Sequence, residues 1–256
     1  MDWPLIALSG FAFLAGFIDS IVGGGGLVQV PAFFVLYPQL SVPNIIGTNR
    51  VASAFGTSVA AINYIRSVKI PWKVVGVAAL GSMSCSYLGA YLQSMLSAEV
   101  LKPIILVLII AIAIYTFKKK DFGQEENPPA PKRLLLFAFL VGMVMGFYNG
   151  LIGPGTGSLL VFGFVRVTGY NLLRASGMAK IINVVADVSS LTYFFIHKYI
   201  LFHIALPMLV CNMAGAFLGS RLAILKGNQF VRIFFLVVIV LVILRFGWDV
   251  WKIFDF

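Results

Sequence analysis

The sequence contains few of the residues from which catalytic or metal sites are built. It has two cysteines, two histidines and nine acidic residues among 256. Cys85 and Cys211 lie in apolar stretches without a second ligand nearby, so we expect buried small side chains rather than a disulfide or a metal site. His197 and His203 lie near a loop, where we expect solvated or interfacial side chains. Since no nucleophile–base pair is present either, we expect no enzyme activity, no metal and no cofactor.

Charge of either sign is scarce as well. Charged residues make up 11% of the chain and hydrophobic residues 60%, and the mean hydropathy is +0.98. A soluble domain would need a more polar surface. Apolar runs close to the ~20 residues of a spanning helix recur; they cover 3–22, 74–96, 103–117, 134–152 and 230–244. We therefore predict an all-α polytopic membrane protein, whose net charge of +10 reflects basic cytoplasmic loops rather than a nucleic-acid partner.

The two halves of the sequence resemble each other at a constant offset. The stretch GFIDSIVGGGG from Gly16 resembles GFYNGLIGPGT from Gly146, and MSCSYLGAYL from Met83 resembles MAGAFLGSRL from Met213. Both pairs are 130 positions apart. The pattern predicts a first transmembrane repeat over 1–117, a cytoplasmic linker over 118–133 and a second transmembrane repeat over 134–256.

Each repeat opens with an apolar helix that a glycine-rich stretch interrupts. The apolar segment after Gly23 to Gly26 covers residues 27–38, about 18 Å of helix, which is too short for a ~30 Å hydrocarbon core. We predict a re-entrant hairpin with a glycine tip, followed by three spanning helices, in each of two inverted repeats. A hydropathy window would count about eight segments. With the N-terminus outside, this topology places more Lys and Arg on the cytoplasmic side than eight plain crossings would.

Two cations interrupt the apolar segments at equivalent positions, because Arg50 and Lys180 are also 130 apart. Each begins a polar stripe at helical spacing; the stripes are Arg50, Ser53 and Thr57, and Lys180, Asn183 and Asp187. We interpret them as two walls of one site. Two alternatives stay open for the cations, namely snorkelling to an interface and internal neutralisation by Asp19 and Asp187. For these two acids, charge pairing and proton coupling are both open.

The glycine stretches add a second source of positive potential. A helix that begins within the membrane directs free N–H groups and a positive dipole end at what precedes it, and such ends bind anions. The competing interpretation is close helix packing through small residues, which we expect for Gly142, Gly146, Gly150, Gly215 and Gly219. The predicted substrate-binding residues are Gly24, Gly25, Gly26, Asn49, Arg50, Ser53, Thr57, Gly155, Thr156, Lys180 and Asn183.

These motifs resemble a known family of bacterial membrane transporters. GFIDSIVGGGGLVQVPAFF, followed by GTNRVAS, resembles the TauE/SafE family, often called sulfite exporters, and GLIGPGTG and AKIIN are similar to its second repeat. The resemblance implies export of sulfur-containing anions across the inner membrane. It also implies that Thr48 and Asn49 belong to the family signature. The second half has Met178 and Ala179 there, so a polar pair is not duplicated.

We therefore expect a secondary transporter that exports a small anion, sulfite or an organosulfonate, by alternating access around a midplane site. The expected partners are the anionic substrate and the lipid bilayer. The alternative is an anion channel or a non-transporting membrane scaffold subunit.

Overall fold

The computed structural model describes residues 3–95 and 126–254, and no strand occurs among them. The predicted span over 103–117 and linker residues 118–125 lie outside this part of the chain. A π-helical turn, Phe164–Thr168, directly follows the short helix Thr156–Gly163. The helices in chain order are α1 Trp3–Val22, α2 Gly26–Leu36, α3 Val42–Ser67, α4 Trp72–Gln93, α5 Pro131–Leu151, α6 Thr156–Gly163, α7 Leu172–Ile196 and α8 Phe202–Phe254.

Most of these helices have the length and composition of membrane spans. Five apolar stretches among the described residues are long enough to cross, namely α1, α4, α5, α7 and residues Phe202–Phe234 of α8. Helix α3 has 26 residues, about 39 Å, but is more polar. The prediction of an all-helical, multi-pass membrane protein is confirmed, whereas the count of about eight hydropathy segments stays a prediction.

The helices begin at matching positions in the two halves. Helices α2 and α6 begin at 26 and 156, α3 and α7 at 42 and 172, and α4 and α8 at 72 and 202. Each pair is offset by 130, as in the sequence. The local cause is shared for α3 and α7, because each has a polar N-cap. Ser41 Oγ accepts from Asn44 N at 3.4 Å, and Asn171 Oδ1 accepts from Arg174 N at 2.8 Å.

Helix α8 consists of two consecutive helical stretches. They meet at Gly227, whose φ of 72° and ψ of −165° interrupt the helix. After α6 the second half therefore has three longer helical stretches, and three spanning helices in each repeat stay a prediction.

Small residues hold two pairs of helices in close contact. A Cβ on Gly142 would collide with Ala78 O, and one on Gly150 with Ser86 O, so α4 and α5 run in the same direction. The same contact forms between α1 and α8, where Gly215 faces Phe13 and Gly219 faces Phe17; these helices are also parallel. A Cβ on Gly146 would likewise meet Ser82. The packing role predicted for these five glycines is confirmed.

Helix α3 runs parallel to α8. Near the start of both helices, Leu201 N donates to Thr48 Oγ1 at 3.0 Å. Further along both, Asn63 Nδ2 donates to Ser220 Oγ at 2.8 Å. Helices α1, α3 and the first stretch of α8, before Gly227, therefore share one direction.

Helices α3 and α7, which hold the two polar stripes, run in opposite directions. Gly47, near the start of α3, packs against Phe194, near the end of α7. Gly177, near the start of α7, packs against Tyr64, near the end of α3. The stripes therefore pass each other between these two contacts.

Candidate functional site

Glycine produces both helix breaks. Helix α1 ends at Val22, and the chain turns through Gly23 and Gly24, whose φ angles are +83° and +98°. Between α5 and α6, Gly153 and Gly155 have φ angles of +82° and +86°. Residues with a Cβ rarely adopt this region, so the breaks depend on glycine.

The two breaks also contact each other. A Cβ on Gly23 would collide with the backbone of Gly157, and one on Gly26 would lie 3.1 Å from Pro154 Cα. Gly157 lies in the first turn of α6. The glycine stretches therefore provide close packing as well as the turns.

A polar cavity of about 30 Å³ lies beside the two breaks. This volume accommodates a water molecule or two, so the space between the two halves is small. Lys180, Gly24, Gly25 and Thr57 do not line the cavity. The predicted residues that do are Asp19, Gly26, Asn49, Arg50, Ser53, Gly155, Thr156, Asn183 and Asp187.

Arg50 is held by residues of the second half. Its side chain is buried, and Nη1 lies 3.0 Å from Asp187 Oδ1. Nη1 also donates to Asn149 Oδ1, and Nη2 donates to Asn149 O, the main-chain oxygen near the end of α5. Arg50 Nε has no partner among the described residues. The cation of α3 thus binds both the end of α5 and the middle of α7.

Lys180 is held in the same way by the first half. Its ammonium group lies 3.2 Å from Asp19 Oδ2 and donates to Asp19 O. Thr57 Oγ1 donates to the same Oδ2 at 3.3 Å. Asp19 Oδ1 accepts from Gly25 N, also at 3.3 Å. The carboxylate of Asp19 therefore joins Lys180, α3 and the start of α2.

These two polar clusters are equivalent under the 130-residue offset. The equivalent pairs are Arg50 and Lys180, Asn149 and Asp19, and Asp187 and Thr57. Each cluster contains one cation and one carboxylate, but the acid occupies different members of these pairs. The predicted site residues did not include Asn149, although its equivalence to Asp19 is visible in the sequence.

The internal neutralisation considered for the sequence is present. Arg50 and Lys180 are 3% and 0% exposed, so neither side chain reaches an interface by snorkelling. Removing one partner of a buried ion pair destabilises a protein by roughly 3–5 kcal/mol, because the remaining charge is left buried and unpaired. The centre thus contains two compensated cations rather than two free positive charges.

The N-terminus of α6 differs from that of α2. At the start of α2, the Asp19 side chain accepts a hydrogen bond from Gly25 N. The equivalent side chain, Asn149, does not bind the start of α6, because its Nδ2 donates to Asn183 Oδ1 at 2.8 Å and to Asp187 Oδ1 at 3.1 Å. The N–H groups of Gly155, Gly157 and Ser158 have no acceptor in the described part of the chain. Ser158 Oγ is also buried without a partner there. Of these residues at the start of α6, Gly155 and Gly157 line the cavity, whereas Ser158 lies against Gly23.

Two further polar residues have separate roles. Thr48 Oγ1 accepts from Leu201 N and so fixes the connection between α7 and α8 rather than facing the cavity. Asn49 lines the cavity, and its Oδ1 has no partner among residues 3–95 and 126–254. Across those same residues, no three His, Cys, Asp or Glu side chains are grouped as a metal site would require.

Comparison with known proteins gives a consistent result. The family described as Sulfite exporter TauE/SafE matches residues 8–246. The chain is 35% identical over 237 residues to a probable membrane transporter protein, ORF9, of a Sinorhizobium species, covering 91% of this chain and 88% of that protein. It is 35% identical over 227 residues to the probable membrane transporter protein YfcA of Escherichia coli strain K12, covering 86% and 81%.

A probable membrane transporter protein of Haemophilus influenzae is 31% identical over 222 residues, covering 86% of this chain and 85% of that protein. No solved structure matches the chain at a significant level. The extent of the family match and the relatives' coverage leave one assignment: the chain belongs to the TauE/SafE family and is a membrane transporter.

Proposed function

We propose that this protein exports a small sulfur oxyanion or a sulfonate from the bacterial cytoplasm by alternating access. The observation that carries the proposal is the polar cavity between the two glycine breaks, with the Arg50 guanidinium and the free N-terminus of α6 on its wall. Asp19 and Asp187 also line the cavity, each paired with a cation. The unpaired N–H donors at the helix start therefore favour an anion over a neutral solute.

The helix directions support a re-entrant hairpin at the start of each repeat. Helices α1 and α3 run in the same direction, since both run parallel to α8. They therefore begin on the same face, and α2 with its flanking turns returns the chain to it. Helix α2 has 11 residues, about 16 Å, too few to cross the ~30 Å core.

The directions also support inverted repeats. Helices α3 and α7 occupy equivalent places in the two halves and run antiparallel. In repeats related by an axis along the membrane normal, equivalent helices would be parallel. Antiparallel equivalents are expected when the axis lies in the membrane plane.

One face of the molecule collects the basic side chains. Arg174 Nε donates to Lys69 O at 2.7 Å, and its Nη1 lies 2.6 Å from Glu126 Oε2, so the end of the linker lies beside two loops. With the helix directions above, the basic residues on this face are Arg66, Lys69, Lys73, Lys132, Arg133, Arg166, Arg174, Arg221 and Lys226. Lys198 lies toward the other face. The distribution supports an inner-membrane protein with a cytoplasmic linker over 118–133 and an external N-terminus.

The site holds its anion by exchange of partners. In this structure Asp187 is the counterion of Arg50. An entering anion accepts hydrogen bonds from Arg50 and from the N–H groups of Gly155 and Gly157, and so displaces that carboxylate. Ser53 and Asn183, which line the cavity, donate further hydrogen bonds. Lys180, Thr57 and the glycines of the first break hold Asp19 and act as the equivalent cluster of the other half.

The membrane potential supplies enough driving force for export. A potential of about 100 mV, negative inside, favours exit of one negative charge by ~2.3 kcal/mol. Export as a uniport therefore needs no coupling ion, and Asp19 and Asp187 serve as counterions in this scheme.

The proposal is tested by anion efflux from proteoliposomes loaded with sulfite or with a small alkanesulfonate. We expect the wild type to release one of them under an inside-negative potential. In the variant with Arg50→Ala and Lys180→Ala, the rate of efflux should fall more than tenfold, since a hydrogen bond to a charged group contributes ~1.5–3 kcal/mol. Arg66→Ala, at an exposed cation, is the matched control and should leave efflux unchanged.

A second variant separates loss of the site from misfolding. Arg50→Gln combined with Asp187→Asn removes both charges of a buried pair, which destabilises a protein less than removing one. Wild-type efflux from this variant and from the double alanine variant would overturn the proposed site. Single-channel currents in the wild type would show that the protein is an anion channel rather than a transporter.

A further inference from the structure

Helices α3 and α7 meet twice, once on each side of their polar stripes. A Cβ on Gly47 would lie 3.1 Å from Phe194 Cβ, and one on Gly177 would lie 3.3 Å from Tyr64 Cβ. Phe194 and Tyr64 are both completely buried. At each meeting point an aromatic side chain of one helix thus lies directly against the backbone of the other.

The two contacts are equivalent under the same offset, since 47 and 177, like 64 and 194, are 130 positions apart. Along α3, the 17 positions from Gly47 to Tyr64 span about 26 Å. This length is close to the ~30 Å thickness of the hydrocarbon core. The contacts therefore lie toward opposite edges of the membrane, with the cavity and both ion pairs between them.

At one end, Phe194 lies between Arg50 and the pair of rings formed by Tyr199 and the exposed His197. The Arg50 guanidinium carbon lies 6.0 Å from the centroid of the Phe194 ring. The Phe194 ring contacts Tyr199 edge-on at 6.4 Å. Tyr199 stacks on the exposed His197 at 6.1 Å between ring centroids. A path from Arg50 toward this face passes the Phe194 ring.

At the other end, Tyr64 separates the Lys180 cluster from the basic face. Gly177, which Tyr64 contacts, lies one helical turn before Lys180. Two positions beyond Tyr64 along α3 is the exposed Arg66. Unlike Phe194, Tyr64 also donates a hydrogen bond, from its hydroxyl to Ile21 O at 3.4 Å.

We propose that these two contacts are the gates of the transporter, Tyr64 on Gly177 toward the cytoplasm and Phe194 on Gly47 toward the outside. The inference rests on the proposed function and adds the residues that give one-sided access. Both contacts are formed in this structure. Separation of one contact opens the cavity to one face while the other contact keeps it sealed.

The gates are tested by thiol accessibility. In a background with Cys85→Ala and Cys211→Ala, Ser53→Cys places a reporter thiol on the cavity wall. A membrane-impermeant thiol reagent is applied to right-side-out and inside-out vesicles. Phe194→Ala should make labelling from the outside about tenfold faster, because the closed contact loses a buried ring, and should leave labelling from the cytoplasmic face unchanged. Tyr64→Ala should do the converse.

Phe33→Ala is the matched control, since Phe33 is buried in α2 away from both contacts, and it should alter neither rate. Equal acceleration from both faces, or none, in the two gate variants would overturn the inference. Should the alanine variants fail to insert, Tyr64→Phe and Phe194→Leu provide the same comparison. Tyr64→Phe removes only the hydroxyl group, which donates to Ile21 O, so it should accelerate cytoplasmic labelling alone. No anion is present in this assay, so its failure is distinct from a failure of the transport assay.

Discussion

At the scale of single residues, the two central clusters place their carboxylates at positions that the 130-residue offset does not relate to each other. In the first half it is Asp19, near the end of α1, and in the second half it is Asp187, in the middle of α7. The equivalent residues are Asn149 and Thr57. Each cation is nonetheless paired once, so charge balance is kept although the positions differ.

This exchange predicts a compensating pair of substitutions. Asn149→Asp adds a second carboxylate beside Arg50, and Asp187→Thr leaves Arg50 without one, so each alone should lower the thermal unfolding midpoint. Together they give the Arg50 cluster the pattern that Lys180 already has, and the midpoint should recover. We expect a coupling of ~1–3 kcal/mol in the double-mutant cycle.

The control for this cycle is Glu126→Gln, which breaks the half-exposed pair with Arg174. An exposed pair contributes ~1 kcal/mol or less, so the midpoint should hardly move. Additive effects of Asn149→Asp and Asp187→Thr would show that the two positions do not share one charge-balancing role.

Some residues of the site could be predicted from the sequence and others could not. Arg50 and Lys180 are conspicuous because a cation in an apolar helix is costly, and the repeat relates them to each other. Ser158 and Phe194 are ordinary residues in such a sequence. The interest of these two residues comes from the helix end and the helix crossing at which they lie, which only the fold reveals.

At the scale of helices, the two halves are joined by close backbone contact at glycines rather than by large interlocking side chains. Helix α5 lies on α4 through Gly142, Gly146 and Gly150, and α8 lies on α1 through Gly215 and Gly219. The sequence predicted these residues as packing positions. It could not predict which helices they join, because small residues specify close approach and not a partner.

A glycine comparison tests the helix contact. Gly146→Ala places a Cβ against the backbone of Ser82, and we expect a destabilisation of ~1–3 kcal/mol as α4 and α5 separate. Gly76→Ala, also in a transmembrane helix, meets nothing within 4 Å and should be neutral or slightly stabilising, because alanine is the better helix former. Equal unfolding midpoints for the two purified variants would contradict this account of the α4–α5 contact.

The glycine breaks are the helical feature that the sequence predicts best. A short apolar segment after four glycines cannot span the membrane, and α2 and α6 are indeed short. The contact between the two breaks was not predictable, since it requires Gly23 and Gly157 to meet across the halves.

At the scale of the whole molecule, the candidate site belongs to neither half alone. Arg50 of the first half binds Asn149 and Asp187 of the second, and Lys180 of the second half binds Asp19 of the first. Because the cavity between the halves is about 30 Å³, an anion can occupy it only when the halves rearrange. In the proposed mechanism, binding and the change of access are therefore coupled through the same contacts.

The most direct test of the central claim is anomalous diffraction from crystals grown with selenite, an analogue of sulfite that carries an anomalous scatterer. The account predicts a selenium peak between the Arg50 guanidinium and the first turn of α6, with Asp187 displaced from Arg50 and no such peak in the variant with Arg50→Gln and Asp187→Asn. A peak confined to the basic cytoplasmic face around Arg174, or no peak at a selenite concentration that saturates efflux, would contradict it.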